Sequence, residues 1–237
     1  KISDKVIRWD SAKQKKDIFV NLSPTLPIIN YNKPNKAKND NNCSIVFYTS
    51  RRHRNINRPG PGLAQTINLF YELVEFVNKL NPEIKSKIKF RSKQFDDWNV
   101  EKIFSKIFGK KSVESFLVDS YTKTLSNSKL IIFTYAQTSF SEAMHSNIPS
   151  VLIMKKDYWD LPKESLHILD ELKKSKIAFE DFNEAKIHIN KCWSEIETWW
   201  KSENVQSSRK MYLNFFFKIK PGWFKEWSNY IYYSKKI

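Results

Sequence analysis

Thr138, Ser139 and Glu142 lie close together in the run TYAQTSFSEAM. Two hydroxyls beside a helix start can hold an anion, because the free N–H groups and the dipole there favour negative charge. A carboxylate one turn further in can accept hydrogen bonds from a sugar diol. A second group of candidates is cationic: Arg51, Arg52, Arg54 and Arg58 in RRHRNINRPGPG, and Arg91 in FRSKQFDDW. The guanidinium fork matches a phosphate or carboxylate with two parallel hydrogen bonds. Each group also has a plain structural explanation. Ser139 as N-cap with Glu142 three residues on reads as a capping box, and the arginine run reads as a solvated basic loop.

The elements that position these residues follow from pattern. Leu130–Met154, LIIFTYAQTSFSEAMHSNIPSVLIM, opens with an apolar, β-branched run that predicts a buried strand. A polar turn leads to a short helix through His145. Asn147 then closes it in a left-handed conformation, and Pro149 stops it. Ser150–Met154 is the next strand. Strand, turn, helix and strand make a βαβ unit, hence a parallel sheet whose ligands sit at the carboxyl ends of its strands.

Upstream, Ser44–Ser50 predicts a strand feeding the arginine loop, and Leu63–Leu80 predicts a helix with Leu63, Ile67, Phe70, Leu73, Val74 and Val77 on its apolar face. A strand at 88–90 leads to Arg91, a helix at 100–108 ends at Gly109, and a strand at 116–118 precedes a helix at 121–126. Downstream come a helix at 163–174, a strand at 177–179 and helices at 182–200, 204–218 and 223–233. The tail tryptophans Trp193, Trp199, Trp200, Trp223 and Trp227 predict packing back onto the sheet. Residues 1–42 read as a leading segment and linker, with a helix within 1–16; residues 43–181 as a Rossmann-like domain; residues 182–237 as helices packed on it. The fold class is α/β, a doubly wound, mostly parallel sheet with a helical C-terminal tail.

Several chemistries lack their signatures. Cys43 and Cys192 are far apart, and the four histidines are scattered, so no zinc spacing is present; His145, His167 and His188 read as surface or packing residues. There is no GxGxxG, no GxxxxGK[ST] and no GxSxG. Asp96-Asp97 makes no convincing metal motif. The cysteine usage suits a reducing cytoplasm. A chain of 237 residues that starts with Lys suggests a fragment missing something upstream. The formal net charge of +16 suits nucleic acid, anionic headgroups or a phosphorylated ligand and selects none of them.

The ordered combination of motifs is more specific. SKLIIFTYAQTSFSEAMHSNIPSVLI, the aromatic loop DYWDL, LDELKKSKIAFEDFNEA, IETWWKSENVQSSRKMYLNFF and the upstream FRSKQFDDW together resemble the LIC12162-type transferases over residues 44–230. That resemblance implies the C-terminal, donor-binding half of a GT-B glycosyltransferase in bacterial surface-glycan synthesis, with an N-terminal half absent or reduced. It implies a nucleotide-sugar substrate, by analogy a CMP-activated acidic sugar, and no cofactor or metal. It also implies a glycan or lipid-linked acceptor and a cytoplasmic location, with peripheral association at the inner membrane face left open. On this chain, Thr138 and Ser139 would hold donor phosphate and Glu142 the ribose hydroxyls. Arg91 with Arg51, Arg52 and Arg54 would meet phosphate or a sugar carboxylate. The catalytic group is not identified. Two other readings stay open: a non-catalytic GT-B-like scaffold, and a basic nucleic-acid-binding module whose aromatics stack bases.

Overall fold

Period-two alternation sets which way each strand faces. Cys43, Ile45 and Phe47 point to one face of the sheet with Leu130, Ile132, Val151 and Ile153. Val46, Ile131, Phe133 and Leu152 point to the other. Both faces are apolar, as a parallel sheet covered on two sides requires. The computed structural model describes residues 5–9, 19–24, 41–49, 60–91, 98–114 and 120–234.

Six strands form the main sheet: β3 (Asn42–Val46), β4 (Ile88–Arg91), β5 (Val113–Glu114), β6 (Ser128–Phe133), β7 (Ser150–Ile153) and β8 (Ala178–Phe179). Their order is β5-β4-β3-β6-β7-β8, and every pairing is parallel. This is the doubly wound, Rossmann-like order, which runs outward from the centre in both directions. The helices divide accordingly. On one face lie α1 (Leu63–Asn78), α3 (Val100–Phe108) and α7 (Phe182–Cys192). On the other lie α4 (Tyr121–Asn127), α5 (Thr138–His145), α6 (Leu166–Lys174) and α9 (Glu203–Phe216). Between β3 and β6 the chain reverses its winding, so the connections leaving these two central strands part and open a crevice at their carboxyl ends.

Several expectations need correction. Within the leading segment, no helix occurs among the described residues. Val6–Arg8 is strand β1, paired in parallel with β2 (Phe19–Asn21) as a separate two-stranded sheet, in keeping with the β-branched Val6-Ile7 pair. The strand expected at 44–50 ends at Val46. On α1 the buried stripe is Leu69, Leu73, Phe76 and Val77, while Leu63 and Ile67 are exposed. Pro82 ends the run of α1 but also starts α2 (Pro82–Ser86), where a proline's missing N–H costs nothing. The strand expected at 116–118 lies outside the described residues; the edge strand seen is β5.

The helix expected over 182–200 is broken. Asp181 caps α7 by accepting from the N–H groups of Asn183 and Glu184. The chain then turns at Trp193, whose indole donates to Glu83 on α2, before α8 (Ile196–Lys201). The turn lets both Trp193 and Trp200 bury their rings. The last helix, α10 (Trp223–Ser234), does not pack on the sheet as expected. Trp227 donates to the Ser23 carbonyl, and Glu226 accepts from the Ser23 N–H, so α10 is tied to the leading segment. Its Phe224, Ile231, Tyr232 and Tyr233 are exposed. No helix among the described residues is long and apolar enough to cross a membrane.

Candidate functional site

A cleft of about 260 Å³ lies where the winding reverses, at the carboxyl ends of β3, β4 and β6. One wall is the segment Val46–Thr49 that leaves β3. Arg91, the last residue of β4, forms the floor. Tyr121 from α4, Tyr135 and Gln137 from the turn after β6, and Ser139 and Glu142 from α5 complete it. Three residues expected from sequence, Arg91, Ser139 and Glu142, therefore share one cavity. Thr138 is exposed and not part of its lining. Arg51, Arg52, Arg54 and Arg58 lie outside the described residues, as do Asp96 and Asp97.

Arg91 is buried, 4% exposed, and its orientation is fixed. Its Nη1 lies 3.3 Å from the Thr124 hydroxyl and 3.7 Å from Glu114 Oε2, and Thr124 donates in turn to Glu114 at 2.6 Å. The guanidinium also lies 5.8 Å from the centre of the Tyr121 ring. Tyr121 donates to the Ser139 carbonyl at 2.6 Å, joining α4 to the first turn of α5.

The start of α5 differs from expectation. Gln137 is the N-cap, Ser139 is the second helical residue, and no side chain caps the helix. The capping-box pairing of Ser139 with Glu142 does not form. Ser139 instead has its hydroxyl within hydrogen-bonding reach of Tyr135, and Glu142 points into the cleft. The Glu142 carboxylate has no hydrogen bond or ion pair with any described residue. Burial lifts its pKa to about 7. Burial likewise raises Tyr121 and Tyr135, and the Glu142 charge pushes both in the same direction. Both phenols are thus held as neutral hydrogen-bonding groups.

The cleft therefore gathers a cation, an unpartnered carboxylate, two phenols and a hydroxyl beside a helix N-terminus. Such a set can bind an anion at one end and a polyol at the other. Among the described residues no group of three or more His, Cys, Asp or Glu side chains could hold a metal ion. His145, His167 and His188 lie against Phe217, Phe215 and Phe179 respectively, as packing residues.

At the rim, Tyr48 meets Tyr135 at a tilt and Trp159 edge-on, with ring centres 5.5 and 5.1 Å apart. Gly60, at φ 151°, makes room: a Cβ there would stand 3.2 Å from Trp159 and 3.3 Å from the Tyr48 hydroxyl. Tyr48, Tyr121 and Tyr135 were not expected as site residues. The available signal was position, since Tyr48 and Tyr135 are each the second residue after a strand, β3 and β6.

The far end of α5 is clamped. Asn147 has φ 56°, and the N–H groups of Asn147 and Ile148 bond to the carbonyls of Met144 and Ala143, a Schellman motif. Trp200 Nε1 donates to both the Asn147 carbonyl and its Oδ1, at 3.1 and 3.0 Å. Gln206 also donates to Asn147 Oδ1, and Arg209 to the Met144 carbonyl. A cation at that end complements the helix dipole. The TWW and SSRKMY stretches thus hold the helix that carries Ser139 and Glu142. With these motifs placed, the family comparison can be read on the structure: the model of the LIC12162 family transferase matches residues 1–231.

The chain belongs to the LIC12162 family of transferases.

A search of curated proteins returns no match. In this LIC12162-family transferase, TYAQTSFSEAM builds the cleft, DYWDL supplies its rim tryptophan, and the double tryptophan secures α5 from behind.

Proposed function

We propose that this transferase moves a glycosyl group from a nucleotide-activated sugar, and that the cleft binds the donor as the nucleotide-sugar half of a GT-B pair. The observation that carries this reading is the position of Glu142: a half-buried carboxylate, without a partner among the described residues, in one cleft with Arg91 at the reversal of strand order. In this reading Glu142 accepts hydrogen bonds from the ribose hydroxyls. Ser139 and the N–H groups of the first turn of α5 hold phosphate, with Thr138 at its exposed edge. Arg91, aided by Arg51, Arg52 and Arg54 from the loop after β3, meets phosphate or a sugar carboxylate. Fixed positive groups stabilise the departing nucleotide phosphate, and because they are held in place beforehand they need no reorganisation as charge develops. The family resemblance suggests a CMP-activated acidic sugar as donor, whose phosphate and carboxylate are the groups a guanidinium would meet. The acceptor is a glycan or lipid-linked glycan in surface-polysaccharide synthesis at the inner face of the membrane.

Calorimetric titration of the chain with CMP, UDP, GDP and ADP at moderate salt tests this directly. The expected result is selective binding of one nucleotide, weakened about tenfold or more in Glu142→Ala with the fold intact. Equal, weak binding of all four that disappears with added salt would reject the donor assignment. It would return the basic surface to a scaffold or nucleic-acid role.

A further inference from the structure

The apolar stripe Leu63, Ile67, Phe70, Leu73, Val74 and Val77 divides along α1: Leu73 and Val77 enter the core with Leu69 and Phe76, Phe70 and Val74 pack against it, and Leu63 and Ile67 stay exposed. Ile67 and Phe70 also line a second cavity, of about 270 Å³, between α1 and the start of α3. Phe47 is its floor, and Trp98 and Ile103 stand opposite. Phe47 and Thr49 line both this cavity and the polar cleft, so the two compartments share a wall. The Phe70 side is rigid, because that ring stacks on Phe104 at 5.0 Å and meets Phe47 edge-on at 6.0 Å.

The chemistry of the walls selects the occupant. Among the described residues no charged side chain lines the cavity, and the Thr66 hydroxyl is already committed to the Gly62 carbonyl at 2.9 Å. A nucleobase would bury its polar edge there with few partners, at a cost a hydrocarbon does not incur. The exposed part of the lining is aliphatic and aromatic: Ile67 is 38% exposed and Tyr71 69%. Apolar surface gathered around a concavity marks a binding site rather than ordinary surface.

We infer that the α1–α3 cavity holds the apolar aglycone of an amphiphilic acceptor, whose hydroxylated head reaches the polar cleft past Phe47 and Thr49. The identity of the head group rests on the glycosyl-transfer reading; the apolar occupancy does not.

The test compares octyl β-glucoside, below its micelle concentration, with methyl β-glucoside, by calorimetry on the full chain. The octyl compound should bind at least about tenfold more tightly, as burial of a few methylene groups requires. Ile67→Asp should abolish that advantage while leaving the affinity for the selected nucleotide and the unfolding transition unchanged. Should Ile67→Asp fail to fold, Tyr71→Asp, one turn later in the same lining and more exposed, decides the same question. No octyl advantage, or an advantage that survives whichever of these variants folds, overturns the inference. Loss of nucleotide binding with the octyl advantage retained would sink the donor reading and still support an apolar site here. Retained nucleotide selectivity without an octyl advantage would do the reverse.

Discussion

Glu142 ties the proposed chemistry to a measurable pH dependence. Its carboxyl is lifted from the ordinary value of about 4.3 to about 7 in the folded chain, by burial. Between those values the native state holds a proton that the unfolded chain has released. The group's stabilising contribution is therefore full below the unfolded value and is lost as pH rises through about 7. Glu142→Gln, which cannot ionise, should match the parent at pH 4 and exceed it by roughly 1–3 kcal/mol at pH 8, as read by urea denaturation at the two values. Nucleotide affinity should move the other way, falling roughly tenfold or more from pH 8 to pH 5.5, because a protonated carboxyl is a poorer partner for a diol. A flat affinity profile over that range would remove Glu142 from the ribose. Sequence could nominate this residue, since it stands one turn into a helix after a buried strand. It could not show that Glu142 abandons the capping box, because that depends on Tyr135 engaging Ser139 and on the cavity left beside it.

At the scale of elements, α5 is held at both ends by parts of the chain remote in sequence. Its first turn is pinned by Tyr121, and its last by Trp200, Gln206 and Arg209 through Asn147 and Met144. Asn147 serves twice, as a left-handed residue and as a side-chain acceptor. Asn147→Ala should lose both roles and cost about 2–3 kcal/mol, whereas Asn147→Gly should keep the backbone conformation and cost about 1 kcal/mol. Denaturant midpoints of the two variants separate the contributions, and equal losses would show that the backbone conformation contributes nothing. The left-handed turn was readable from Asn147 followed by Pro149. The clamp was not, because helical spacing assigns Trp200 to a core without naming its partner. On α1 the apolar spacing found the core-facing residues Leu73 and Val77 but not where the stripe leaves the core, because only tertiary packing shows that Leu63 and Ile67 are left exposed.

Across the whole molecule, the alternation of strands and helices was enough to establish a doubly wound parallel sheet, since both faces of each central strand are apolar. What escaped was the behaviour of the ends. The leading segment carries a parallel strand pair, and α10 joins it through Ser23 rather than returning to the sheet. Short strands with weak alternation leave little periodic signal, and an aromatic helix carries no mark of which surface it meets. Trp227→Phe keeps an aromatic ring, though a smaller one, and removes the bond to Ser23. Amides of α10 should then exchange with solvent faster, while those of β6 keep their protection. Equal loosening of both would mean that α10 supports the main sheet after all.

The central pairing of β3 with β6 also sets an order of assembly. Ser44 and Ser128, whose hydroxyls meet at 2.7 Å in the middle of the sheet, are 84 residues apart in the chain. On a ribosome β3 and β4 emerge together and can pair early, but β3 must wait with its inner edge unsatisfied until β6 follows. The far end of this seam becomes the cleft, so a nascent chain acquires its binding site only when the two halves of the sheet meet.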